Sequence, residues 1–445
     1  MEIFGLIPSF GGFLYTAIAF VVALSIIVAV HEYGHYIVGR WSGIHAEVFS
    51  LGFGPRICSW VDKRGTRWQV AALPFGGYVK FLGDSDPASG QDTATLDGLS
   101  AAQKRRTMHG APLWARSATV LAGPMFNFLM AIMLFATLIA LRGVPLEAPV
   151  VGDVRSLPGF DDALRPGDRI LGLDGIDTPD TAGLSLALQA LRPDQSTQYR
   201  ILRDGVEQTI VGPFPLPAVV DAVQPGSAAQ QSGMLPGDVV LAVDGQPVAA
   251  FEALRDVVGA SEGRALLMRI WRDGTELDVT LTPRRMDLPT ADGGFETRWL
   301  IGVNGGLAFS PQTRMPGVVE SLDLGLGQTL VIIRTSLSGL WHMLSGAISS
   351  CNLSGPLGIA ETSAAAASAG AVSFVWFIAT LSTAVGLMNL FPIPVLDGGH
   401  LVFHVYEAAF RRPPSPRVLN AMMMVGLVVL VSLMVFALTN DIFCP

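Results

Sequence analysis

Ile26-Ile27-Val28-Ala29-Val30-His31-Glu32-Tyr33-Gly34-His35 closes a stretch that carries no charge from Ile3 to Val30. A helix puts positions i and i+4 on one face, so His31 and His35 can grip one Zn²⁺. Glu32 stands beside them, able to take a proton from water at such an ion. The pair is fused to a segment long enough to cross a bilayer. Few tasks need a hydrolytic zinc at membrane depth, and cutting a peptide bond inside or beside the membrane is the leading one.

Half of the 445 residues are hydrophobic and 15% are charged, too apolar a balance for an ordinary soluble protein. Ser117 to Leu141 and Val418 to Asn440 are further uncharged stretches long enough to span, and Thr362 to Leu396 holds one crossing with residues to spare. The fold class expected is a polytopic α-helical membrane protein with four transmembrane helices. The first stretch does not read as a cleaved signal peptide, because the first Lys or Arg is Arg40 and cleavage would threaten the histidine pair. Residues 38–111 carry nine Lys/Arg against six Asp/Glu, whereas 143–310 carry thirteen Arg and no Lys against twenty-three acids. The first connection is therefore expected inside, the long acidic region outside and both termini outside. An acidic exterior argues against nucleic-acid binding. Cys58, Cys351 and Cys444 make no disulfide framework. Cys351 and Cys444 fall on one side of the membrane, which leaves a bridge open, with unpaired thiols as the expectation.

Residues 41–83 read as strands and turns, a membrane-associated β element beside the zinc site that can offer an edge to an extended substrate. Residues 84–112 read as a polar cytoplasmic linker. In the exterior region, Leu164-Arg165-Pro166-Gly167-Asp168 through Asp174-Gly175 recurs as Leu235-Pro236-Gly237-Asp238 through Asp244-Gly245, and Arg203-Asp204-Gly205 recurs as Arg272-Asp273-Gly274. This suits two tandem β-rich domains, 148–215 and 216–285. Pro-Gly-Asp, apolar strand, then Asp-Gly, with Pro225-Gly226-Ser227-Ala228-Ala229 ahead of the second copy, resembles the PDZ domain, which binds peptide ends or strands by edge addition. Spacer modules are the plainer alternative. A linker is expected over 286–326, and an amphipathic helix over 327–350.

Two histidines leave zinc short of a protein ligand. Asp397, in Asn389-Leu390-Phe391-Pro392-Ile393-Pro394-Val395-Leu396-Asp397-Gly398, directly follows the uncharged stretch, where an acid near lipid is a functional-site hypothesis. Asp397 reaches the depth of His31 and His35 only if its crossing also runs inward. That holds if 113–142 returns outward and 327–350 lies at the interface without spanning. The remaining spans are then 1–40, 370–404 and 417–440. His45, His400 and His404 read as loop or supporting residues. Asn389 carries an amide able to polarise a scissile carbonyl or steady an oxyanion.

His31-Glu32-Tyr33-Gly34-His35, Gly123-Pro124-Met125-Phe126-Asn127 and the Asn389-to-Gly398 run together resemble the site-2 protease family of intramembrane zinc metalloproteases. Pro74-Phe75-Gly76-Gly77-Tyr78-Val79-Lys80, Leu353-Ser354-Gly355-Pro356-Leu357-Gly358-Ile359-Ala360 and the two PDZ-like repeats resemble its bacterial branch that regulates sigma-E. The resemblance implies His31, His35 and Asp397 as zinc ligands, Glu32 as general base and Asn389 as a substrate or transition-state contact. It implies a bacterial inner-membrane enzyme of stress response. The substrate would be a single-pass membrane protein, an anti-sigma factor or remnant signal peptides, cut after a first periplasmic cleavage. Membrane lipid would be a further partner, and the PDZ pair would filter substrates by size. Two departures stand out: Ala384 occupies a position where relatives often carry a second Asn, and the first repeat lacks the Pro-Gly-Ser-Ala-Ala run. A metal sensor or transporter, or an inactive PDZ scaffold in the membrane, are the rival classes. A transporter would need acidic or His pairs along its crossings, and none occur between Ile3 and Val30.

Overall fold

The computed structural model describes residues 10–84, 99–160, 163–193, 196–224, 226–290 and 294–443. Residues 85–98 of the expected linker, residues 3–9 of the first span, Pro225 and Cys444 lie outside them. The helices that matter for the site are, in chain order, α1 (Phe10–Trp41), α2 (Leu113–Arg142), α3 (Thr181–Ala190), α4 (Phe251–Gly259), α5 (Val318–Leu344), α6 (Pro356–Ser368), α7 (Ala371–Asn389), α8 (Asp397–Phe410) and α9 (Pro416–Phe443). The chain forms two compact units, residues 1–138 with 322–338 and 353–444, and residues 139–321 with 339–352. Among the described residues, four helices are long and apolar enough to cross a membrane: α1, α2, α7 and α9. Helix α5 is not one of them; it carries Glu320, Asp323 and Arg334, and begins nine positions before the expected start.

In the first unit, small residues bring the helix backbones together. A Cβ on Gly34 of α1 would lie 2.6 Å from Ala122 O of α2, and one on Gly386 of α7 would lie 3.1 Å from Pro124 O. Close approach of this kind lets helices associate where lipid offers no hydrophobic drive. Ser382 Oγ of α7 adds a hydrogen bond to Asn127 O of α2 (2.8 Å). Ala23, Ile27 and Ile378 fill the apolar core beside this contact. After α7 the chain breaks over residues 390–396 at Pro392 and Pro394, neither of which can donate to a helix. It then turns so tightly that a Cβ on Gly398 or Gly399 would come within 2.3 Å of a carbonyl oxygen of that break. That turn places Asp397 at the first position of α8.

The β element consists of β1 (Ala46–Val61) and β2 (Arg67–Phe81), each long enough to serve as two strands. From Val48–Arg67 to Leu51–Val70 the partner numbers rise together, so residues 48–51 run parallel to 67–70. Residues 46–51 also pair antiparallel with 77–81, and 58–61 pair antiparallel with 67–70. The result is a small mixed sheet with 77–81 on one edge and 58–61 on the other. Tyr36 of α1 packs edge-on against Phe49 and Trp68, anchoring the sheet to the helix.

In the second unit, the sequence repeat becomes two four-stranded antiparallel sheets of identical order. The first runs Ile176–Asp177, Arg169–Leu173, Ser196–Arg203, Val206–Pro213, and the second runs Gln246–Pro247, Val239–Val243, Leu266–Arg272, Thr275–Leu281. Helices α3 and α4 occupy equivalent places in the two copies. The repeated letters have a physical reason. Buried Asp168 and Asp238 of the Pro-Gly-Asp turns each take a two-pronged ion pair from Arg203 and Arg272 of the Arg-Asp-Gly turns, at 2.6–2.8 Å.

Two expectations need correction here. Residues 286–326 are not a plain linker. Arg284–Pro289 and Phe295–Leu300 form a hairpin, and a ribbon then closes earlier strands one after another. Val303–Gly305 pairs with Val220–Val223, Phe309–Pro311 with Val151–Val154, and Thr313–Arg314 with Val144–Pro145. A strand donated from beyond a repeat's own end leaves no trace in the repeat, so 148–215 and 216–285 are each short of one strand. The second correction concerns cysteine: Cys351 is disulfide-bonded, not a free thiol, whereas Cys58 is free and exposed.

Candidate metal centre

His31 and His35 project from one face of α1 with their Nε2 atoms 3.1 Å apart and their rings edge to face. Asp397 arrives from the start of α8, with Oδ2 3.2 Å from His31 Nε2 and Oδ1 3.5 Å from His35 Nε2. Among the described residues, this is the one group of three or more His, Cys, Asp or Glu side chains arranged to hold a metal ion. The spacing fits zinc. A tetrahedral ion with ligands at ~2.0 Å sets neighbouring donor atoms about 3.3 Å apart. Asp397 Oδ2 is buried with no well-directed hydrogen-bond donor, as expected of an oxygen reserved for a cation.

Helix α2 supplies the support for the imidazoles. His35 Nδ1 donates to Thr119 O (2.8 Å), leaving the lone pair of Nε2 toward the cluster. Gly123 is obligatory, since a Cβ there would lie 2.3 Å from His35 Nε2 and 2.8 Å from His31 Cε1. His31 Nδ1 lies 3.2 Å from the amide nitrogen of Asn127, a wholly buried residue whose Oδ1 has no partner. Which end of an amide faces a neighbour is an assignment made from the hydrogen-bond network. With Oδ1 turned to His31, Asn127 accepts the Nδ1 proton and frees Nε2 as a ligand, the same support that Thr119 gives His35. Sequence reasoning quoted Asn127 without giving it a role. The available signal was an amide in the middle of an uncharged span.

Glu32 is half-buried between α1 and the 77–81 strand. A Cβ on Gly77 would meet Glu32 Cγ at 3.0 Å, so the glycine pair of that strand makes room for the acid, and the backbone of Val79 faces its carboxylate. Asn389 ends α7 and gives its amide to Val385 O one turn back (3.0 Å). His400 bonds Leu396 O and His404 bonds Ser117 Oγ, both outside the three-residue group. Arg116 of α2 grips Glu407 of α8 through two hydrogen bonds (3.0 and 2.5 Å), holding α8 against α2 below the cluster.

The model of Peptidase family M50 matches residues 19–433. The Rhizobium meliloti (strain 1021) protein R01501, named as a candidate zinc metalloprotease, is 34% identical over 96% of both chains. The regulator of sigma-E protease RseP of Escherichia coli (strain K12) is 31% identical over 96% of this chain and 98% of its own. Protease RseP of Yersinia pestis is 32% identical over the same shares. With the near-complete family match and these relatives in agreement, the chain belongs to Peptidase family M50, the metalloproteases of site-2 type.

Proposed function

We propose that this protein is an intramembrane zinc metalloendopeptidase that cuts a single-pass membrane protein after a first cleavage has removed its exterior bulk. The observation that carries the reading is the meeting of His31, His35 and Asp397, brought together from opposite ends of the chain. When bound, Zn²⁺ polarises the scissile carbonyl and lowers the pKa of water toward ~7. Glu32 takes the proton of the attacking water and delivers it to the leaving amide nitrogen. Asn389 can contact the scissile carbonyl if its amide leaves Val385 O. A transmembrane substrate hides its backbone in its own hydrogen bonds, so it must unwind before attack. The outer edge of 77–81, alongside Glu32, offers replacement partners to the unwound strand.

The repeat modules are read as PDZ-like, exterior and size-selective, with peptide ends or strands as ligands. Helix α5 is read as interfacial, and the whole protein as lying in a bacterial inner membrane with the metal toward the cytoplasm. The Escherichia coli relative, named for sigma-E regulation, favours an anti-sigma factor or a remnant signal peptide as substrate. The test compares membrane-protein fragments in cells carrying the wild type and Glu32→Gln. The variant is expected to keep its zinc, lose about 10²–10⁴-fold in cleavage and trap an intermediate-length substrate. Undiminished cleavage by Glu32→Gln would return the protein to the scaffold class.

A further inference from the structure

Below the metal site, where α1 ends, a cavity of about 310 Å³ is lined by Tyr36, Arg40, His45, Arg64, Thr66 and Arg106. Three arginines from three separate segments line it: Arg40 of the last turn of α1, whose guanidinium reaches Tyr36 Oη (3.5 Å), Arg64 of the 62–66 turn of the sheet, and Arg106 of the polar segment before α2. Among the described residues, none of the three is in ion-pair contact with a carboxylate. The nearby acid, Asp62, is occupied by other donors: Arg64 N (2.8 Å), Thr66 N (3.0 Å), Trp68 Nε1 (3.2 Å) and Tyr36 Oη (3.4 Å). The negative end of the α1 dipole is also quenched, since Ser42, Gly43 and Ile44 N–H groups bond the last carbonyls of the helix. A surplus of positive charge therefore faces the cavity.

Its surroundings are those of a lipid. Ala29, Tyr33, Tyr36 and Arg40 fall on one stripe of α1. Along that stripe, about 10–16 Å back toward the N-terminus of α1, a second cavity of about 410 Å³ is lined by Ala29, Val30, Tyr33, Leu51 and Trp60, with Gln69 its one polar side chain apart from the Tyr and Trp rings. Tyr36 lines the cationic cavity and Trp68 the apolar one, and their rings touch at 5.1 Å. Trp41, beside Arg40, is 73% exposed, as expected of a side chain at a membrane surface.

We propose that this trough is a binding site for an anionic phospholipid, with the phosphate among Arg40, Arg64 and Arg106 and an acyl chain toward the apolar cavity. The site is separate from the peptidase centre and its occupancy does not depend on metal. The purified full chain is placed in nanodiscs of phosphatidylcholine with a minor fraction of phosphatidylglycerol, and co-purifying lipid is counted by native mass spectrometry. The wild type is expected to retain phosphatidylglycerol preferentially, and Arg64→Gln with Arg106→Gln to reduce that retention at least ~10-fold. Arg106→Gln alone, at an exposed position, serves if the double variant fails to fold. Equal retention of both lipids, or unchanged retention in the variants, overturns the proposal. Displacement of the lipid by millimolar inorganic phosphate overturns it in favour of a free-anion site. Metal content and cleavage, measured on the same samples, report on the peptidase independently.

Discussion

With its Oδ1 turned to His31, Asn127 decides which nitrogen of that ring is free to bind a cation. Replacing it with leucine, close in volume, removes the acceptor for Nδ1–H while keeping the packing against α7. Asn127→Leu is expected to weaken zinc binding about 10–100-fold, measured by chelator competition. Asn127→Asp, which keeps an acceptor oxygen, should hold affinity near the wild type. The meeting of the two imidazoles was legible because their spacing is local: a histidine four residues from another shares its helix face wherever that helix goes. Asp397 was legible because an acid closing an apolar run is costly. Thr119, Gly123 and Asn127 were not, because their roles follow from the register of α2 against α1, set by the contact of Gly34 with Ala122, which no pattern within either helix encodes. Asn389 illustrates the reverse case, a residue whose motif suggests chemistry while its amide is engaged within its own helix.

Among elements, the start of α6 depends on a residue from the far end of the chain. Asp441, near the end of α9, accepts the N–H groups of Gly355 (2.7 Å), Leu357 (3.0 Å) and Gly358 (3.1 Å). A carboxylate at a helix C-terminus is unfavourable and at another helix's N-terminus favourable, so the contact with α6 offsets the penalty that Asp441 meets at the end of α9. Asp441→Ala is expected to cost about 1–2 kcal/mol, read from the denaturation midpoint in detergent. The sheet has its own sensitive carboxyl. Asp84 is buried, with Oδ2 accepting Phe81 N–H (3.0 Å) and Oδ1 3.5 Å from His109, and burial pushes its carboxyl above the usual range. The folded chain thus holds this proton more tightly than the unfolded one. Its contribution to stability is complete below the ordinary carboxylate value of ~3.9 and is lost as pH rises through the higher folded value. Asp84→Asn is expected to raise the melting temperature by about 2–4 °C at pH 8 and to leave it unchanged at pH 3.5. Strands in this region were readable from Val, Phe and Trp flanking glycine turns. The parallel pairing of 48–51 with 67–70 was not, because alternation reveals faces and never partners.

Across the whole molecule, the sequence reading found the four helices long and apolar enough to cross a membrane, and the repeat revealed two like modules through its paired Asp and Arg. It missed the ribbon of residues 303–314, whose strands are two or three residues long and too short to show a period. Phe309 in that ribbon is 1% exposed and packs into the core of the first module. Phe309→Ala is expected to cost about 3–5 kcal/mol, followed by tryptophan fluorescence in urea.

Because a single late stretch zips up both copies in turn, neither can be excised alone. Removing 148–215 would strand Phe309–Pro311 with no mate and expose a raw sheet border ready to recruit another chain. Engineers wishing to vary these modules must therefore cut and graft the pair together with its closing tape, as one cassette.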